Sequence, residues 1–257
     1  MSNLATTYNI DEITYYYSIG RDASQDLMKP LIKTISDYDP LFRQSHKKLS
    51  DKVADVLGKD ELAIQQFTDL LAMMKDKITG IKKDSLGTRN ELAHIRDDLL
   101  LSIRSAQSKI DHLEGQKAGL QGRKETLEKE ISQKQKEIQI YKALSWFIPI
   151  LAIILESVRA FDSLLEETKT QLDTTQQEIQ SIITEKNNNQ QVLEESTLAL
   201  NANQRLISGC DNIQNNISNI QISLKRIDKL SLLKNKLMAL ENDWSALMTI
   251  VNEFISL

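Results

Sequence analysis

Two proline-free arms of equal length, Leu41 to Ile148 and Ile150 to Leu257, meet at Pro149. Proline is the strongest helix breaker, at about 3 kcal/mol in a helix interior. The chain has 3 prolines and 8 glycines among 257 residues, so long helices are open to it. Apolar residues recur at steps of three, four and seven. Alternation of period two, the mark of a strand, is absent. The expected fold class is all-α: an elongated bundle of about five helices.

The first helix reads 9–38, broken or kinked near Pro30 and closed by a turn at Tyr38-Asp39-Pro40, because the residue before a proline is pushed out of helical geometry. The second reads 41–79, and Gly80 and Gly87 bracket a stop and a new start. The third reads 88–142. Its Leu92, Leu99, Ala106, Leu113, Leu120, Leu127 and Tyr141 keep a seven-residue repeat, with Lys134 the exception, and Ile103, Ile110, Ile131 and Ile138 form the companion row. That is a coiled-coil seam. The fourth reads 156–207. Val158, Leu165, Leu172, Ile179, Leu193, Leu200 and Ile207 are seven apart, but the companion row is weak, with Thr168, Thr175, Asn189 and Ser196 in it. The fifth reads 210–256. Helices three and four are expected to pair antiparallel as a long hairpin.

The two arms join in Ala143, Leu144, Ser145, Trp146, Phe147, Ile148, Pro149, Ile150, Leu151, Ala152, Ile153, Ile154 and Leu155, a run without charge between Lys142 and Glu156. As a helix it reaches about 20 Å, short of the roughly 30 Å hydrocarbon core of a bilayer. Pro149, lacking an N–H, favours a bend there. Two short arms side by side are each about one leaflet deep. A run of this length is commonly a buried core helix, yet polar heptad helices flank it on both sides, and a soluble chain seldom exposes so much apolar surface without a binding role. Tyr141 and Lys142 at its mouth suit a membrane interface.

Chemistry has little to work with. His46, His94 and His112 are scattered, with no second His or Cys at ligand spacing. No phosphate-binding loop occurs. Cys210, near an expected helix start, lacks a His partner, and one cysteine excludes an intrachain disulfide. No catalytic residue, metal or cofactor is assigned, and an enzyme is not expected. The net charge of −4 gives no nucleic-acid footprint. The N-terminal residues lack the charged and apolar regions of a secretory signal, so synthesis in the cytoplasm without a Sec signal peptide is expected, with any export by another route. Gly115, Gly119 and Gly122 weaken the third helix, and Asn187, Asn188 and Asn189 form a second weak patch, at a broadly similar height across the hairpin. Close packing is one reading of the glycines, and a hinge built from both patches is the other.

A polar helical bundle with two very long helices and one isolated apolar segment at their junction resembles the α-helical pore-forming toxins of the cytolysin A and Hbl/Nhe superfamily. The short head, Ala143–Leu155 between the seams ending at Tyr141 and beginning at Val158, is most similar to the C component of the tripartite Gram-negative toxins of the Ahl/Smh type. The resemblance implies a bundle tail at 1–112 and 186–257, a coiled-coil neck at 113–142 and 156–185, and a membrane-inserting head at 143–155. It also implies partner toxin components and action on the lipid bilayer of a target cell after secretion. Before membrane contact the head must be hidden, and a head-to-head homo-oligomer, dimer or tetramer, is expected. The alternative is a coiled-coil scaffold or adaptor whose apolar tip binds a protein.

Overall fold

The structure, a computed structural model, describes residues 10–143, 148–225 and 232–255; for 10–23, 141–143 and 148–152 it describes the backbone alone. Every long element among them is an α-helix: α1 (Ile10–Asp51), α2 (Val53–Leu57), α3 (Glu61–Ala143), α4 (Ile148–Leu224) and α5 (Leu233–Ile255). The all-α class is as expected and the helices among the described residues number five, but most are cut at different places.

Expected breaks at Pro30, at Tyr38–Pro40, at Gly80 and Gly87, and between Ile207 and Cys210 do not occur. α1 runs through both prolines, and packing on either side of Pro40 explains why. Tyr38 meets Trp244 edge-on at 5.5 Å, Phe42 stacks on Trp244 at 4.2 Å, and the Trp244 Nε1–H donates to Asp39 at 2.6 Å. These contacts offset the one helical hydrogen bond that proline removes. Gly80 and Gly87 lie inside α3, where buried Met74, Ile78, Ile81 and Leu92 carry the helix past them. The real stop is Gly58-Lys59-Asp60, in the middle of the expected second helix. Lys59 takes a φ of 63°, and the Asp60 carboxylate caps α3 by accepting from the Leu62 and Ala63 N–H groups at 2.9 and 3.2 Å, the usual role of an Asp before a helix.

The chain divides into two compact units. One comprises Tyr15–Leu100 and Gln191–Leu257. Its core is closed by Leu31, Ile35 and Phe42 of α1, Phe67, Met74 and Ile78 of α3, Ile213 and Ile217 of α4, and Leu237, Trp244 and Val251 of α5. Gly209 sits mid-helix here because α5 comes close. A Cβ at that position would lie 3.2 Å from Leu247 Cδ1. Cys210 is therefore inside a helix rather than at its start, and burial pushes its thiol up to about 12, with Asp211 adding to the effect and Lys82 opposing it.

The other unit holds Leu101–Gln190 with the start of α1. Here α3 and α4 pair antiparallel, as the cross-helix contacts show. Ser102 meets Asn189, Gln107 meets Lys186, Lys109 meets Glu178 and Lys117 meets Gln176. Three small clusters hold the pair together: Ala106, Ile110, Leu113, Ile179 and Ile182; then Leu127, Ile131 and Leu165; then Ile138, Ile154 and Val158.

Candidate functional site

The last of those clusters leads into the apolar run. α3 ends at Ala143 and α4 begins at Ile148. Pro149 is the second residue of α4. In a first helical turn the N–H has no intrahelical acceptor, so proline costs nothing there. Leu144, Trp146 and Phe147 lie outside the described residues, as do the side chains of Tyr141, Lys142, Ala143, Ile148, Pro149, Ile150, Leu151 and Ala152.

The described end of the run divides by face. Ile154 points inward against Ile138 and Val158. Ile153 and Leu155 point outward, 65% and 44% exposed, and Ile140 on α3 is 61% exposed. The helical repeat explains this: of three consecutive residues only one can lie on the seam. Apolar surface therefore extends beyond the charge-free run on α3, at Ile140. Behind it the hairpin is polar. Gln133, Lys136, Glu156 and Arg159 are exposed, and Lys134 pairs with Glu137 at 2.9 Å. No helix among the described residues is long and apolar enough to cross a membrane.

The second candidate, the weak patch, is rearranged. Gly115, Gly119 and Gly122 have no heavy atom within 4 Å of where a Cβ would stand, which overturns close packing. They do not face the asparagines either. Asn189 donates to Ser102 Oγ at 3.1 Å, some 25 Å along α3 from Gly119 at 1.5 Å per residue. Opposite the glycines stand threonines. Gly119 and Arg123 border a shallow groove of about 590 Å³ with Thr170, Thr174 and Thr175. Thr168, Thr170, Thr174 and Thr175 each donate to the carbonyl four residues back, at 2.7–2.9 Å, a contact that slightly weakens and bends helices. Both helices are thus weak at one level, between two apolar clusters.

Asn187 is exposed, Asn188 half-buried and Asn189 fully buried. The companion row of α4, weak by composition, is its innermost. Asn189, Ser196, Asn203 and Cys210, each seven from the next, all reach zero exposure. Sequence reading ranked the row by polarity and missed it. The clue was its continuation into Cys210 and Ile217.

The three histidines are apart. His46 contacts the Leu237 carbonyl at 3.0 Å, and His112 contacts Gln116. Among the described residues no group of three or more His, Cys, Asp or Glu could hold a metal ion.

No protein-family model and no curated protein matches the sequence. Solved structures do match in fold. XaxA from Xenorhabdus nematophila aligns over 95% of this chain and 80% of its own, at 12% identity and a TM-score of 0.63. The SmhB pore of the tripartite α-pore-forming toxin Smh from Serratia marcescens aligns over 97% and 92%, at 10% identity and a TM-score of 0.50. The AhlB pore of the tripartite α-pore-forming toxin AHL from Aeromonas hydrophila aligns over 97% and 93%, at 12% identity and a TM-score of 0.50. At such identities the likeness is one of fold.

Proposed function

We propose that this chain, which has the fold of the α-pore-forming toxins, is a component of a multi-part toxin that docks on a target membrane through the head 143–155. The observation that carries the reading is the apolar surface at the α3–α4 junction, a charge-free run whose outward residues Ile153 and Leu155 are joined by Ile140. The run is about one leaflet deep, which suits docking and recruitment of partner components, as in a C-type component, more than crossing the bilayer alone. In this reading 113–142 with 156–185 form the neck and the rest the tail. Tyr141 and Lys142 stand at the lipid interface, and the Gly115–Gly122 level re-aims the head. The chain is made in the cytoplasm, exported, and hides its head in a dimer or tetramer until lipid replaces that contact.

Liposome co-sedimentation tests this. A charge at the membrane centre costs about 2.5–3.5 kcal/mol, so Ile153→Asp with Leu155→Asp, which leaves inward Ile154 in place, should abolish sedimentation with helicity intact. Unchanged sedimentation would refute the membrane role. The unmodified chain alone should bind vesicles without releasing entrapped dye. Light scattering in detergent-free buffer should give a dimer or tetramer, and a monomer would count against the hidden head.

A further inference from the structure

The paired helices 101–143 and 148–190 carry seams regular enough to permit a mistake. A slip of seven residues would put leucine and isoleucine rows back in contact. What distinguishes the observed register is where the polar interruptions fall. Lys117 on the companion row meets Gln176 across the pair, Lys186 on the main row meets Gln107, and Asn189 meets Ser102. Each of these three finds a polar group across the pair. Slipped one heptad one way, Lys117 would face Ile183. Slipped the other way, it would face Lys169 and Gln107 would face Ile179. Either slip sets a polar group of the seam against an apolar side chain: half-buried Lys117 against Ile183 one way, and buried Asn189 against Ile95 the other.

The register also sets the tip. The Lys117–Gln176 and Gln107–Lys186 pairs are both centred in the chain on Trp146–Phe147. A heptad slip moves that centre to Ile150 or to Ala143. We propose that Lys117–Gln176, Gln107–Lys186 and Ser102–Asn189 are positioning pairs that pin the hairpin register and so fix which stretch of the chain joins α3 to α4. The register claim is independent of lipid, whereas its meaning for the head rests on the membrane reading above. The buried Oδ1 of Asn189, which has no partner among the described residues, fits such a role. A polar residue at a core position specifies register at a cost in stability.

Cross-linking in the full-length chain decides it. Lys109 and Glu178 are paired at 3.4 Å in the observed register, so Lys109→Cys with Glu178→Cys reports that register to a short bismaleimide. Lys109→Cys with Glu185→Cys reports the slip. Cys210 is buried with its thiol pushed up to about 12, so it stays silent. With the pins intact, the native pair should cross-link at least about tenfold more than the slipped pair. With Lys117→Leu, Lys186→Leu and Asn189→Leu the two yields should approach each other. Should that variant fail to fold, the milder Ser102→Leu with Asn189→Leu should raise the slipped yield several-fold over the intact chain. Native cross-links alone in the folded variants would overturn the proposal. Liposome sedimentation of the intact chain, run in parallel, keeps the two questions apart. Its failure would remove the membrane reading and leave the register result standing.

Discussion

The same heptad logic buries side chains to different depths in the two units. In the unit built from α1, α5 and parts of α3 and α4, Ile78, Leu92 and Ile217 reach zero exposure. In the unit built on α3 and α4, Leu113, Leu127, Ile131 and Ile138 keep 6–8%, although the repeat is as regular there. Two helices make one seam, and its flanks stay open to water. Four helical segments close over theirs. For leucine and isoleucine, depth of burial follows the number of neighbours round a seam, not how apolar the seam is.

The largest test of this contrast is truncation. Phe42→Ala, which removes the ring stacked on Trp244, should cost about 3–5 kcal/mol, and Ile78→Ala should fall in the upper part of the roughly 2–5 kcal/mol range for such changes. Ile138→Ala, whose site can refill with solvent, should cost about 2 kcal/mol or less. Urea unfolding measures all three, and equal losses for Ile78 and Ile138 would erase the difference between the units.

Glycine gives a smaller effect with a change of sign. Gly119→Ala meets nothing and should stabilise its helix by about 1 kcal/mol. Gly209→Ala presses on Leu247, so the gain should vanish or reverse. Thermal melts of the two variants, compared with the parent, suffice. Asn203→Leu comes next. Its Oδ1 is buried without a partner among the described residues and its amide reaches only the Met28 sulfur at 3.5 Å, so an apolar replacement should gain on the order of 1 kcal/mol. A loss would show that the amide is better satisfied than the contacts imply.

A further effect is a slope at high pH. Burial raises Tyr38 from 10.0 to about 12. Between those values the unfolded chain has released a proton that the folded chain keeps, so stability falls as pH rises through that window. Tyr38→Phe should flatten the fall when urea midpoints at pH 9 and pH 11 are compared. An unchanged slope would assign the fall to other groups.

Much of this was legible in the residues. The seams of the long helices, their antiparallel pairing and the isolation of the run at their junction follow from periodicity, which reports what a helix buries. The end of α3 beside the run followed too, but most internal helix ends did not. Local cost places breaks at Pro30, Pro40, Gly80 and Gly87, but Tyr38, Phe42 and Trp244 around Pro40 and the buried Met74, Ile78, Ile81 and Leu92 around the glycines repay that cost through packing. The genuine stop at Gly58-Lys59-Asp60 carried a readable signal, a Gly followed by a capping Asp. At the candidate site, the division between inward Ile154 and outward Ile153 and Leu155 needed the register with Ile138, which the run itself does not contain. The buried row of α4 was hidden by its own polarity.

The two tryptophans fall one to each region. Trp244 is stacked on Phe42 with its indole N–H on the Asp39 carboxylate, a dry and asymmetric surrounding that should give it strong near-ultraviolet ellipticity and blue-shifted emission. Trp146 belongs to the apolar run. The chain therefore carries its own pair of optical reporters. With Trp146→Phe the remaining signal follows the fold, with Trp244→Phe it follows the head, and loss of structure can be told from arrival at lipid without attaching a dye.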